Sequence, residues 1–205
     1  MDCRIFCIGA HKTGTTSLER AMVKLGYLGF PSRQGYGCIT HRRKKKIAVS
    51  PIQNIEARVT SLIRKLVIFE KFQKYKAFHD CPFNMFHFYR QFSYCFPDSK
   101  FILTVRDSDD WFESVLRWNS LTGSAPVYRL MYGCPINREN KEAIIQTYEQ
   151  RNEDIRHFFQ GTGRLLEMNI CEGEGWEKLC PFLGHEVIES SFFHSNQISK
   201  PEPKA

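Results

Sequence analysis

The segment "RIFCIGAHKTGTTSLERAMVKLGY", Arg4 to Tyr27, does most to restrict how this chain can fold. Ile5 to Ile8 form a short apolar run bounded by Gly9, the pattern of a strand buried in a parallel sheet. From Thr15 onward Leu18, Ala21, Met22 and Leu25 recur at helical spacing, and Gly26 ends the pattern. The spacing predicts strand, small-residue loop, helix. In that geometry small residues let backbone N–H groups approach an anion, and the helix offers its partly positive N-terminus. Lys12 adds a full charge, and Thr15 and Thr16 add hydroxyl donors, so the loop reads as a phosphate cradle. It is not the nucleoside-triphosphatase form, G-x-x-x-x-G-K-[ST], because Lys12 precedes Gly14.

Further strands are predicted at "YLGF", "YKAFH", "KFILTV" and "GRLLEM". Helical patterns lie between them. Val59, Leu62, Ile63 and Leu66 share one face; an aromatic-rich helix opened by Pro82 runs from Phe83 to Phe96; and "RDSDDWFESVLRW" begins a helix that Asp107 or Ser108 can cap. Trp111, Val115 and Trp118 fall on one side of that helix, and both tryptophans read as packing. Glu139 to Phe159 reads as a long amphipathic helix and "GEGWEKLCPFLG" as a final one. Strands alternating with helices imply an α/β domain of three layers, a central, mainly parallel sheet flanked by helices. Such sheets bind ligands at the carboxyl ends of their strands, where the Lys12 loop, His79, Asp80 and Arg106 all fall. The 205 residues, 42% apolar with 17 Phe, suit one core, so residues 1–196 are expected to form a single domain and 197–205 a flexible tail.

The net charge of +7 favours anionic partners. The basic run "HRRKKK", residues 41–46, reads first as a solvated loop, with contact to an anionic acceptor and a targeting or nucleic-acid patch as alternatives. No nucleic-acid partner is expected. Eight cysteines are scattered without C-x-x-C spacing, and no His pair has zinc-ligand spacing, which points to buried free thiols and no metal site. The first apolar run is too short for a secretion signal, and no stretch reaches the length of a membrane span, so the expectation is a cytoplasmic protein. Oligomeric state leaves no mark in the sequence.

The most apolar strand, "FILTV", ends in Arg106, with Asp107 one residue further on. Kinases and ATPases of this architecture place an acidic residue at such a strand end to organise Mg²⁺. A cation in that position points to an anion site that requires no metal.

"GAHKTGTTSL" resembles the 5′-phosphosulfate loop of sulfotransferases that use 3′-phosphoadenosine 5′-phosphosulfate (PAPS). "FILTVRDSDDWFESV" is similar to their 3′-phosphate motif, an Arg at a strand end followed eight residues later by a Ser on the next helix, here Arg106 and Ser114. "LLEMNICEGEGWEKLCPFLG" resembles the carboxyl-terminal part of small microbial sulfotransferases. The resemblance implies a P-loop-like fold, PAPS as donor with the bisphosphate PAP as product, and no required metal. It implies that Lys12, Gly14, Thr15 and Thr16, with the backbone of His11 and Thr13, hold the 5′-phosphosulfate. Arg106 and Ser114 would hold the 3′-phosphate, and Lys12 would stabilise the departing phosphate. The late Arg-Lys-Gly triplet of cytosolic members is absent from this chain.

Family members carry a base at a strand end, a His two residues before a Pro or, in glycan-modifying members, a Glu. In "FHDCPF" Asp80 stands two residues before Pro82, which makes Asp80 the first candidate and His79 the second. The resemblance implies transfer to an acceptor that is a small molecule or a glycan. Alternatives from the residues themselves are a Mg-ATP-dependent kinase or hydrolase and a non-catalytic nucleotide- or glycan-binding module.

Overall fold

The computed structural model describes residues 3–30, 74–122 and 125–195. The expected helix with Val59, Leu62, Ile63 and Leu66, the basic run 41–46, Cys38 and the tail 197–205 lie outside the described residues.

In chain order the elements are β1 (Ile5–Cys7), α1 (Thr15–Lys24), β2 (Ala77–Phe78), α2 (Phe88–Cys95), β3 (Lys100–Thr104), α3 (Ser108–Thr122), α4 (Ala125–Tyr132), α5 (Lys141–Phe159), β4 (Leu165–Met168) and α6 (Trp176–Leu183). Short 3-10 turns lie at Arg138–Asn140 and Ile170–Glu172. The four strands form one parallel sheet in the order β2-β1-β3-β4. In register, Ile5 pairs with Ala77 and Lys100, and Phe101 with Leu165. This is the three-layer α/β architecture that the alternation of patterns predicts, and it is consistent with the P-loop-like fold that the resemblance implies.

Alternation along the strands divides the core between the two faces of the sheet. Phe6, Ile8, Phe78, Phe101 and Leu103 face α2 and α5, meeting Phe83, Phe88, Phe92, Ile155 and Phe159. Phe6 is central, with ring centroids of Phe78, Phe92 and Phe101 at 5.0, 4.8 and 5.4 Å. Ile5, Cys7, Ala77 and Ile102 face the other way, onto Leu18, Ala21 and Met22 of α1 and Trp176 and Leu179 of α6.

Where the elements differ from expectation, the causes are local. The aromatic helix begins at Phe88 rather than Phe83, because Asp80 and Phe86 take left-handed φ angles of 59° and 44° and break the segment into turns. Within those turns the amides of Phe83 and Asn84 donate to the Asp80 carbonyl at 2.7 and 3.2 Å. "YLGF" contributes a single parallel bridge, Gly29 to Ala77. Asp107 caps α3, its Oδ1 accepting from the amides of Asp109 and Asp110 at 3.1 and 3.0 Å. Among the described cysteines, all free, Cys7, Cys81 and Cys180 are buried while Cys95 and Cys171 are exposed.

Among the described residues no helix is long and apolar enough to cross a membrane.

Candidate active site

The loop between β1 and α1 takes its shape from two close approaches. A Cβ on Gly9 would lie 1.9 Å from Thr104 Oγ1, so only glycine lets β1 end this close to β3. Thr13 is fully buried and ties the loop down: its Oγ1 donates to the Ala10 carbonyl at 2.6 Å and lies 2.6 Å from Thr104 Oγ1. Lys12 and Gly14 follow left-handed φ angles of 68° and 92°. Gly14 then N-caps α1 and has no side chain with which to bond the helix's first amides. A helix N-terminus with no side-chain cap is a favourable seat for an oxyanion.

Beside this loop lies a cavity of about 650 Å³ at the carboxyl ends of the strands. The loop contributes His11, Lys12, Gly14, Thr15 and Thr16 to its wall. The end of β2 contributes Asp80, and the end of β3 with α3 contributes Arg106, Ser114, Arg117 and Trp118. The turn after β4 contributes Asn169 to Glu172, and His194 and Ser195 close one side. Of the ten residues expected at the site, eight line this one cavity. Thr13 lies beneath it as a strut, and His79 is turned elsewhere.

Lys12 is half-buried, and burial, with the nearby cations Arg106 and Arg117, lowers its ammonium pKa from the ordinary lysine value. Its Nζ rests 4.3 Å from the ring centroid of Trp118. Trp118 is 38% exposed at the cavity rim, so it is not the core residue that its spacing with Trp111 predicts; α3 runs on past the core at this point. Trp111, fully buried, supports the loop directly by donating Nε1–H to the His11 carbonyl at 2.9 Å.

Arg106 is set by its backbone: its amide donates to Tyr148 Oη at 3.0 Å, and Tyr148 Oη donates back to the Arg106 carbonyl at 3.1 Å. Its Nη2 lies 3.7 Å from Asp110 Oδ2, one helical turn on. Its Nε is buried and has no hydrogen-bond partner. Buried polar groups are nearly always paired, at a cost of about 1–3 kcal/mol when they are not, so this nitrogen is in a position to donate to an anionic group entering the cavity. Ser114 stands two turns further along α3 on the same cavity wall.

Asp80 faces the cavity from the strained turn after β2. Burial pushes its carboxyl pKa up, but the His79 imidazole and the electrostatic influence of His11 outweigh that, and the net shift is downward. His79 is buried at 2% exposure, with Nε2 3.3 Å from Glu19 Oε1 on α1 and Nδ1 3.9 Å from Asp80 Oδ2.

Sequence reasoning assigned His11 only through its backbone and missed Asn84 and Arg151. Neither ring nitrogen of His11 has a partner, although the residue is only 8% exposed. Asn84 is fully buried with both amide atoms unpaired. Arg151 on α5 donates through Nη2 to the Ile8 and Asn84 carbonyls at 2.7 and 2.8 Å and leaves Nε and Nη1 unpaired. Arg151 also borders a second cavity of about 360 Å³ between residues 86–87, α4 and α5. No local sequence pattern marks Asn84 or Arg151, because only the fold brings them under the loop.

The arrangement can hold two separated anionic groups, one at the Lys12 loop and one at Arg106 and Ser114. Among the described residues no group of three or more His, Cys, Asp or Glu side chains is arranged to hold a metal ion. A family model described as a sulfotransferase domain matches residues 4–200. No curated protein matches the chain.

Proposed function

Because the chain belongs to the sulfotransferase family, we propose that it transfers the sulfuryl group of PAPS to a hydroxyl or amine of an acceptor by in-line displacement. The observation that carries this reading is a single cavity with two cationic seats: Lys12 with the uncapped N-terminus of α1, and Arg106 with its unpaired buried Nε beside Ser114. A donor with two separated anionic groups matches both seats at once. In this reading the backbone of His11 and Thr13, with Lys12, Gly14, Thr15 and Thr16, holds the 5′-phosphosulfate. Arg106 and Ser114 hold the 3′-phosphate and so separate PAPS from ATP, which has none.

The donor supplies an activated sulfuryl group whose leaving group is a phosphate. Negative charge grows on the bridging oxygen as that bond breaks, so an ammonium at that oxygen binds the transition state more tightly than the ground state. Lys12 takes this role. Its partial burial strengthens the interaction, since less water screens the two charges.

Of the two candidate bases, Asp80 lines the cavity, whereas His79 faces Glu19. The depressed pKa of Asp80 keeps it ionised at neutral pH, which suits it to offset positive charge better than to retain a proton. The reading takes residues 1–196 as one cytoplasmic domain.

The test is turnover of ³⁵S-labelled PAPS to PAP by the wild type and by Lys12→Met, with water and then a panel of hydroxyl acceptors. Turnover that falls about 10²–10³-fold in the variant supports the reading. Tight PAP binding without any turnover would leave a nucleotide-binding module instead.

A further inference from the structure

The mechanism above leaves the buried imidazole of His11 without a task and the acceptor's proton without a destination. His11 is held from several sides. Its carbonyl accepts from Trp111 Nε1, and its ring meets Tyr128 of α4 edge-on at 5.6 Å. The groups facing it are Lys12 from its own loop, Asp80 from the turn after β2, and Arg151 from α5. Burial, Arg151 and Lys12 all disfavour the protonated ring, and Asp80 alone favours it. The ring is therefore neutral and has a lone pair to offer.

One orphaned polar group in a core can be incidental. Both ring nitrogens of His11, however, are unpaired on a residue that lines the same cavity as Lys12 and Asp80, which places the ring to bond an arriving group.

We propose that His11 receives the proton of the acceptor hydroxyl, with Asp80 offsetting the charge of the imidazolium that forms. This rests on the sulfotransferase reading. The acceptor O–H bond breaks toward a ring nitrogen of His11, and the acceptor oxygen forms its bond to sulfur. The bond from sulfur to the bridging oxygen breaks, and its electron pair leaves with the phosphate of PAP. The imidazolium then loses its proton to solvent.

Hydrolysis of PAPS, with water as acceptor, tests this without an identified substrate. Wild type, His11→Asn and Asp80→Asn are compared for PAP release and, by calorimetry, for PAP affinity. For His11→Asn the expected result is a loss of turnover of about 10²-fold or more with PAP affinity unchanged within about threefold. The acid limb of the wild-type pH profile lies below the ordinary histidine midpoint of about 6.5. Asp80→Asn moves that limb to still lower pH, because removing the carboxylate lowers the His11 pKa further. Turnover retained in His11→Asn overturns the proposal, and so does loss of PAP binding, which would make the His11 side chain, and not only its backbone, part of the donor cradle. A wild type that neither binds PAP nor turns over PAPS removes the sulfotransferase reading itself. If the variant does not fold, ¹⁵N-histidine spectra of the wild type decide: a neutral His11 at neutral pH supports the proposal and a charged one overturns it.

Discussion

The ammonium of Lys12 lies 4.3 Å from the centre of the Trp118 ring, so the loop's one full charge is already engaged by an aromatic face at the cavity rim. An exposed cation–π contact of this kind contributes about 0.5–1 kcal/mol. In the proposed reading Lys12 gives up that contact to meet the phosphosulfate. Trp118→Ala removes the competitor and should tighten PAP binding about two- to fivefold by calorimetry. A large weakening would instead make Trp118 a direct contact of the nucleotide.

In the proposed reading Arg106 distinguishes PAP from AMP, which differ by one phosphate. Arg106→Ala should weaken PAP by about tenfold or more, the effect of losing a charged hydrogen bond of ~1.5–3 kcal/mol, and leave AMP nearly unchanged. Fluorescence competition with both ligands measures the difference. Equal weakening of the two would remove the 3′-phosphate from this seat.

The crossing of β1 and β3 tolerates no side chain at Gly9. An added Cβ would meet Thr104 Oγ1 at 1.9 Å and its backbone nitrogen at 2.6 Å, and backbone cannot swing aside as a flexible side chain can. Gly9→Ala should destabilise the fold by about 1–3 kcal/mol or more in urea unfolding. It should also weaken PAP binding, because Thr104 anchors Thr13 of the loop. Unchanged stability would mean that the strands separate readily here.

His11 also predicts a pH dependence of stability. Its pKa is lowered in the folded chain, chiefly by burial, so the unfolded chain binds its proton at higher pH. Folded stability from this group is intact above the ordinary histidine midpoint of about 6.5 and is lost as pH falls from there toward the folded value. His11→Asn should therefore show a smaller fall in thermal midpoint between neutral and mildly acidic pH than the wild type. An identical fall would show that the folded chain does not lower the His11 pKa.

The sheet was legible from sequence because each strand is a compact apolar run next to a helical pattern, as at Ile5 to Ile8 before Leu18 and Ala21. That Lys12, Arg106 and Ser114 line one cavity was legible too, since the Lys12 loop is contiguous and Arg106, at the end of β3, runs straight into the helix that carries Ser114. The start of α2 was not, because Phe83, Phe88 and Phe92 are all buried and only the left-handed φ of Phe86 separates turn from helix. Nor was the side chain of His11 legible as a functional group. What isolates it comes from Asp80 and Arg151, which no sequence pattern links to it.

The most direct test of the central claim is calorimetric titration of PAP without metal, beside ATP with Mg²⁺, into the wild type and Lys12→Ala. The account predicts metal-free binding of PAP to the wild type, loss of that binding in Lys12→Ala, and much weaker binding of Mg-ATP. Preference for Mg-ATP, or PAP binding that survives in Lys12→Ala, would contradict it.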